Sequence, residues 1–182
     1  MDRYEPFRRR TIALVGLMGV GKSSVGRRLA NALSLPFRDA DIEVETAAGR
    51  SVADIFAELG EPAFRDGERR VIARLLDQGP HVLATGGGAF MNPETRELIK
   101  SRAISVWLKT DLDVLARRVS RKNTRPLIAE RDPMEVLTAQ AEVRYPVYGE
   151  ADLVVETGDA PHHQTVDQVI QALSAFLEET AR

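Results

Sequence analysis

A single three-layer α/β/α domain is the fold that the order of residues predicts, and three observations lead to it. Short apolar runs alternate with segments of helical periodicity along the whole chain. Those runs, such as TIALV and ISVWL, are apolar at nearly every position, as in parallel strands buried on both faces. The 182 residues, 43% hydrophobic and 29% charged, suit one soluble domain spanning 1–182.

Each element has a local reason. Thr11–Val15 reads as the first strand, followed by a helix over about 23–33 and a short strand near 36–38. Ser51 and Asp54 resemble a capping box opening SVADIFAEL, and Gly60 stands where that helix takes a C′ glycine. Pro62 then starts a helix to about residue 77, with Gly79 behind it. Residues 81–85 form the third strand, and Asn92 with Pro93 caps and opens the next helix. Residues 104–108 form the fourth strand, with Trp107 in the core, leading to a helix capped by Thr110 with Asp113 at N3. Asp132-Pro133 begins another helix, 152–155 is the fifth strand, and 165–178 is a closing amphipathic helix. In such sheets ligands bind beyond the carboxyl ends of the strands.

Composition narrows the function classes. A net charge of −2 gives no general attraction to nucleic acid. No apolar run approaches the roughly 18–20 residues that span a bilayer, and no signal peptide is evident at the start, MDRYEPFRRR. Without cysteine there are no disulfides or thiolate metal sites, which is compatible with a cytoplasmic location. No apolar heptad suggests an interface helix, so a monomer is expected. His162 and His163 read as an exposed pair, and the basic residues from Arg117 to Lys122 as a solvated helix end.

The chemistry begins at Gly16-Leu-Met-Gly-Val-Gly-Lys-Ser23, a G-x-x-x-x-G-K-[ST] motif between a predicted strand and a predicted helix. Backbone N–H groups in such a loop curl around phosphate oxygens, and the helix start adds its dipole. The predicted nucleoside-triphosphate-binding set is Gly19, Val20, Gly21, Lys22, Ser23 and Ser24, with Lys22 reaching the β- and γ-phosphates and Ser23 ligating Mg²⁺. GTPases, motor ATPases and small-molecule kinases all carry this loop, so other residues must decide among them.

Asp39 and Asp41 follow the second strand, where an extended backbone would turn both carboxylates to one side. One of them can support a metal through water and the other accept a proton; helix capping is the competing explanation. The third strand ends in Gly86, Gly87 and Gly88 with no acid, leaving bare backbone for the close approach of a second substrate. Arg65 and Arg144 are each paired with aromatic neighbours, and two guanidinium forks can grip one carboxylate. Arg65 beside Glu68 is also explained by a plain ion pair. Arg125, before Pro126 in a basic segment, suits a mobile lid over about 117–132 that closes onto a transferring phosphoryl group.

Taken together, GLMGVGKSS, DAD, FRDGE, TGGG, TRPL and R-Y-P-x-Y, in this order, closely resemble the shikimate kinase family. The resemblance implies a five-stranded parallel sheet of order 2-3-1-4-5, a P-loop NTPase fold of nucleoside-monophosphate-kinase type with a lid. It implies ATP-dependent phosphorylation of the 3-hydroxyl of shikimate, on the route to aromatic amino acids, with Mg²⁺. By the same resemblance Asp41 serves the reacting hydroxyl, and Arg65 and Arg144 grip the carboxylate. Gly86, Gly87 and Gly88 line the pocket, Arg125 contacts ATP, and Asp39 supports the metal. The expected partners are ATP and shikimate, with neither nucleic acid nor membrane. The competing readings are a gluconate-kinase-like or nucleoside-monophosphate-kinase-like enzyme, or a nucleotide-binding regulator without transfer activity.

Overall fold

The computed structural model describes residues 5–121 and 131–181. Arg125 and most of the expected lid lie outside the described residues. Five parallel strands form one sheet in the order β2-β3-β1-β4-β5, as expected: β1 (Thr11–Val15), β2 (Phe37–Asp39), β3 (Val82–Ala84), β4 (Ala103–Thr110) and β5 (Leu153–Thr157). All five residues of β1 are buried, and Ile12 lies opposite Val82 on one side and Ile104 on the other. The helices are α1 (Lys22–Leu33), α2 (Ala40–Ala48), α3 (Val52–Asp77), α4 (Pro93–Arg102), α5 (Leu112–Arg121), α6 (Pro133–Tyr148) and α7 (His162–Thr180).

The core follows from the apolar faces of these elements. Ile12 and Leu14 of β1 and Leu83 of β3 are fully buried, as are Leu29 and Leu33 of α1 and Ile72 and Leu75 of α3. Each such side chain contributes about 1.5–3 kcal/mol relative to exposure. Helix α1 packs on α7, α3 on α2 and α4, and α5 on α6. None of the described helices is long and apolar enough to cross a membrane.

Local signals mostly hold. Ser51 Oγ accepts the Asp54 N–H at 3.1 Å, and Asn92 Oδ1 caps α4 by accepting from Glu94 N and Thr95 N. Gly60, at φ 80° and ψ 169°, breaks α3 where one helix was expected to give way to another.

Three expectations need correction. Residues 40–48 form a helix rather than an extended continuation, because Asp39 caps it and Ala40 and Val44 find a buried face. Thr110 is not a helix cap: β4 runs on to Thr110, whose hydroxyl pairs with that of Thr157 on β5. The α5 ladder starts later, with Leu115 N–H donating to the Asp111 carbonyl at 3.2 Å. Finally, α7 opens at His162, three residues before the expected start.

Candidate active site

The site gathers at the carboxyl ends of β1, β2 and β3. After β1 the chain turns through Gly19 (φ 82°) and Gly21 (φ 95°), left-handed conformations that glycine adopts without a Cβ penalty. Gly21 is the residue before α1, so the first N–H groups of that helix, at Lys22, Ser23 and Ser24, face the loop with the positive end of the dipole. Lys22 Nζ donates to the carbonyls of Gly16 (2.6 Å) and Leu17 (3.0 Å), which folds it back over the loop. A ring of N–H donors around one ammonium is an anion cradle of phosphate size.

Asp39 ends β2 and joins three elements. Its Oδ2 accepts the Ser23 hydroxyl at 2.6 Å, while Oδ1 accepts Asp41 N (3.0 Å) and Ile42 N (3.4 Å) to cap α2. Capping and a role at the phosphate loop therefore coexist in one carboxylate. Ser23 and Asp39 offer hard oxygen donors of the kind Mg²⁺ takes. No group of three His, Cys, Asp or Glu gathers among the described residues, and a cation carried on nucleotide phosphates needs only one or two protein oxygens.

The two aspartates do not share a face of an extended strand. Because α2 begins at Ala40, Asp41 sits in its first turn and separates from Asp39. Asp39 faces the phosphate loop, whereas Asp41 faces Gly86. A β-carbon placed on Gly86 would stand 2.9 Å from Asp41 Oδ1 and 3.0 Å from Glu68 Oε2.

The next two glycines each meet an arginine. A β-carbon on Gly87 would stand 3.0 Å from Arg144 Nη1 and 3.7 Å from the Gly16 carbonyl, so this corner abuts the phosphate loop. On Gly88 it would stand 2.7 Å from Arg65 Cζ. Charged side chains thus pack directly on all three glycines, and a side chain at any of them would have to displace one.

Arg65 is held by Glu68 Oε1 at 2.7 Å and Glu61 Oε1 at 3.5 Å, with its guanidinium over the Phe64 ring. Glu68 is only 1% exposed, and its Oε2 has no hydrogen-bond partner among the described residues. Burial pushes its carboxyl above the ordinary range, Asp41 adds to that, and Arg65 and Arg144 pull against it. Tyr148 is buried, and its hydroxyl donates to the Gly87 carbonyl.

On the opposite flank of the phosphate loop, Arg118 is not the solvated residue expected. Its guanidinium donates to the carbonyls of Gly19 (3.4 Å) and Gly158 (3.1 Å), tying the loop to the segment after β5. His162 is half-buried, with its ring Cε1 3.0 Å from where a Gly21 β-carbon would stand.

A family model described as shikimate kinase matches residues 18–174. The chain belongs to the shikimate kinase family.

A shikimate kinase of Caulobacter vibrioides (strain NA1000 / CB15N) is 70% identical over 172 residues, covering 94% of this chain and 86% of the relative. One from Paramagnetospirillum magneticum is 54% identical, covering 93% and 87%. Among solved structures, the shikimate kinase from Acinetobacter baumannii in complex with shikimate superposes with a TM-score of 0.89 at 35% identity, covering 94% of this chain and 97% of that one.

Of the residues singled out in the sequence, the fold brings Lys22, Ser23, Asp39, Asp41, Arg65, Arg144 and the three glycines to one rim. Glu68, Tyr148, Arg118 and His162 pack beside them, Glu68 having been read only as an ion-pair partner. The only signal for Tyr148 was its place in R-Y-P-x-Y, four residues after Arg144 on one helix face.

Proposed function

We propose a residue-level account of how this shikimate kinase moves the terminal phosphoryl group of ATP onto the 3-hydroxyl of shikimate. The observation that carries it is the glycine corner. Two guanidinium groups and two carboxylates converge on three bare glycines, against the edge of a phosphate loop. An acceptor with a carboxylate at one end and a hydroxyl at the other fits that distribution of charge.

The loop N–H groups from Gly19 to Ser24 hold the β- and γ-phosphates, and Lys22 exchanges its bonds to Gly16 and Leu17 for phosphate oxygens. Ser23 and, through water, Asp39 would hold Mg²⁺, which when bound neutralises phosphate charge. Arg65 and Arg144 grip the acceptor carboxylate from two sides; Glu68 and Glu61 keep the Arg65 fork in place before it arrives. Asp41 takes the hydroxyl proton as that oxygen bonds to the γ-phosphorus and the bond to the ADP oxygen breaks. Arg125 supplies positive charge to the transferring group from the lid. The enzyme works as a cytoplasmic monomer in this reading.

A coupled ADP-release assay with shikimate, gluconate and nucleoside monophosphates tests the assignment. Turnover with shikimate and none with the others is expected. Silence with shikimate and turnover with another acceptor would overturn it.

A further inference from the structure

Tyr148 is one of two aromatic residues of R-Y-P-x-Y, and the reaction itself leaves both without a task. Tyr148 is 1% exposed and lies in the last turn of α6, one turn beyond Arg144. A buried phenol needs a partner for its hydroxyl. The partner here is remote in sequence: the O–H donates to the carbonyl of Gly87, the middle glycine of the corner after β3. Arg144 Nη1 stands 3.0 Å from where a Gly87 β-carbon would lie, so the phenol and the guanidinium both pack on Gly87.

The direction of the bond matters for the acceptor. A trans peptide unit is planar, and its C=O and N–H point opposite ways. Pinning the Gly87 carbonyl onto α6 therefore aims the Gly88 N–H away from α6. Because Arg144 packs on the same glycine, the Tyr148 bond to Gly87 also fixes the backbone against which the guanidinium rests. We infer that Tyr148 is a positioning residue for the acceptor: it locks the glycine corner and Arg144 into one fixed relation, so that both engage the same bound molecule. Tyr148 need not touch that molecule. This rests on the assignment of shikimate as acceptor.

Tyr148→Phe removes only the oxygen and keeps the ring in its cluster with Trp107 and Tyr145, whose centroids lie 5.7 and 6.4 Å away. The expected result is a shikimate KM raised about tenfold, with the ATP KM held within about twofold, because the Gly87 carbonyl loses its buried donor. The Gly88 amide resonance in a ¹⁵N–¹H spectrum of the variant should shift without shikimate, and shift less on saturation with it. Tyr145→Phe, in the same aromatic cluster, should leave all of these unchanged. Unchanged shikimate KM in Tyr148→Phe would overturn the inference. So would both KM values rising together with a lower melting temperature, or an equal effect from Tyr145→Phe. If the unmodified chain does not phosphorylate shikimate, the assignment beneath the inference falls. An active chain with an indifferent Tyr148→Phe variant removes only the role of Tyr148.

Discussion

Replacing Gly88 by alanine puts one methyl group against Arg65 and tests the glycine corner directly. Backbone strain is not at issue, since Gly88 sits at φ −99° and ψ −5°, which alanine adopts. The new β-carbon would lie 2.7 Å from Arg65 Cζ. Non-bonded carbons rest about 3.5–4.0 Å apart, so the guanidinium must retreat by about 1 Å. That shift loosens its 2.7 Å bond to Glu68 and takes the fork out of line with an incoming carboxylate. A hydrogen bond to a charged group contributes about 1.5–3 kcal/mol, which is the loss expected when the fork is displaced from the acceptor carboxylate. The shikimate KM is therefore expected to rise about 10- to 150-fold, with the ATP KM within about twofold. Steady-state ADP release with each substrate varied in turn reads both constants, and thermal melting checks the fold. A shikimate KM that stays at the unmodified value, or an ATP KM that rises in step with it, would refute the reasoning.

Three other perturbations separate the roles of the carboxylates. Asp41→Asn is expected to lower kcat by about 10² or more, with little effect on shikimate KM, if Asp41 takes the proton; a small change in single-turnover rate would reduce it to an orienting group. Asp39→Asn keeps a good helix cap, so the melting temperature should hold while the Mg²⁺ concentration for half-maximal rate rises about tenfold; an unchanged Mg²⁺ titration would remove Asp39 from the metal site. Glu68→Gln addresses pH. Burial holds Glu68 above its ordinary value of 4.5, against the pull of Arg65, so its contribution to stability is full below 4.5 and is lost as pH rises through the raised value. The unfolding free energy of the unmodified chain, less that of Glu68→Gln, should fall as pH increases from 4.5; urea titrations giving a flat difference up to about pH 8 would contradict this.

How far the sequence could be read depended on whether a signal was local. Alternation of apolar runs with caps and helix-opening prolines made the strands and most helices legible, because caps and periodicity act within a few residues. Helix α2 was missed since ADIEVETAA mixes β-branched residues with three carboxylates, and its buried face exists only once Ala40 and Val44 meet the rest of the fold. Thr110 was misread because a hydroxyl before a helix looks the same whether it caps or, as here, pairs with a neighbouring strand. The phosphate loop was fully legible, being a contiguous motif. Glu68 and Tyr148 were not. The burial of Glu68 and the reach of Tyr148 to Gly87, 61 residues away in sequence, are products of packing that no local pattern records.

Asp39 has a consequence for how this pocket can evolve. Its carboxylate bonds Ser23 on the nucleotide side and, through the N–H groups of Asp41 and Ile42, fixes the start of the helix that carries Asp41 to the acceptor. Two residues along the chain take the backbone from the carboxylate bonded to Ser23 to the one beside Gly86. Substitutions that reshape the beginning of α2 are thus felt at the nucleotide before they alter the choice of acceptor.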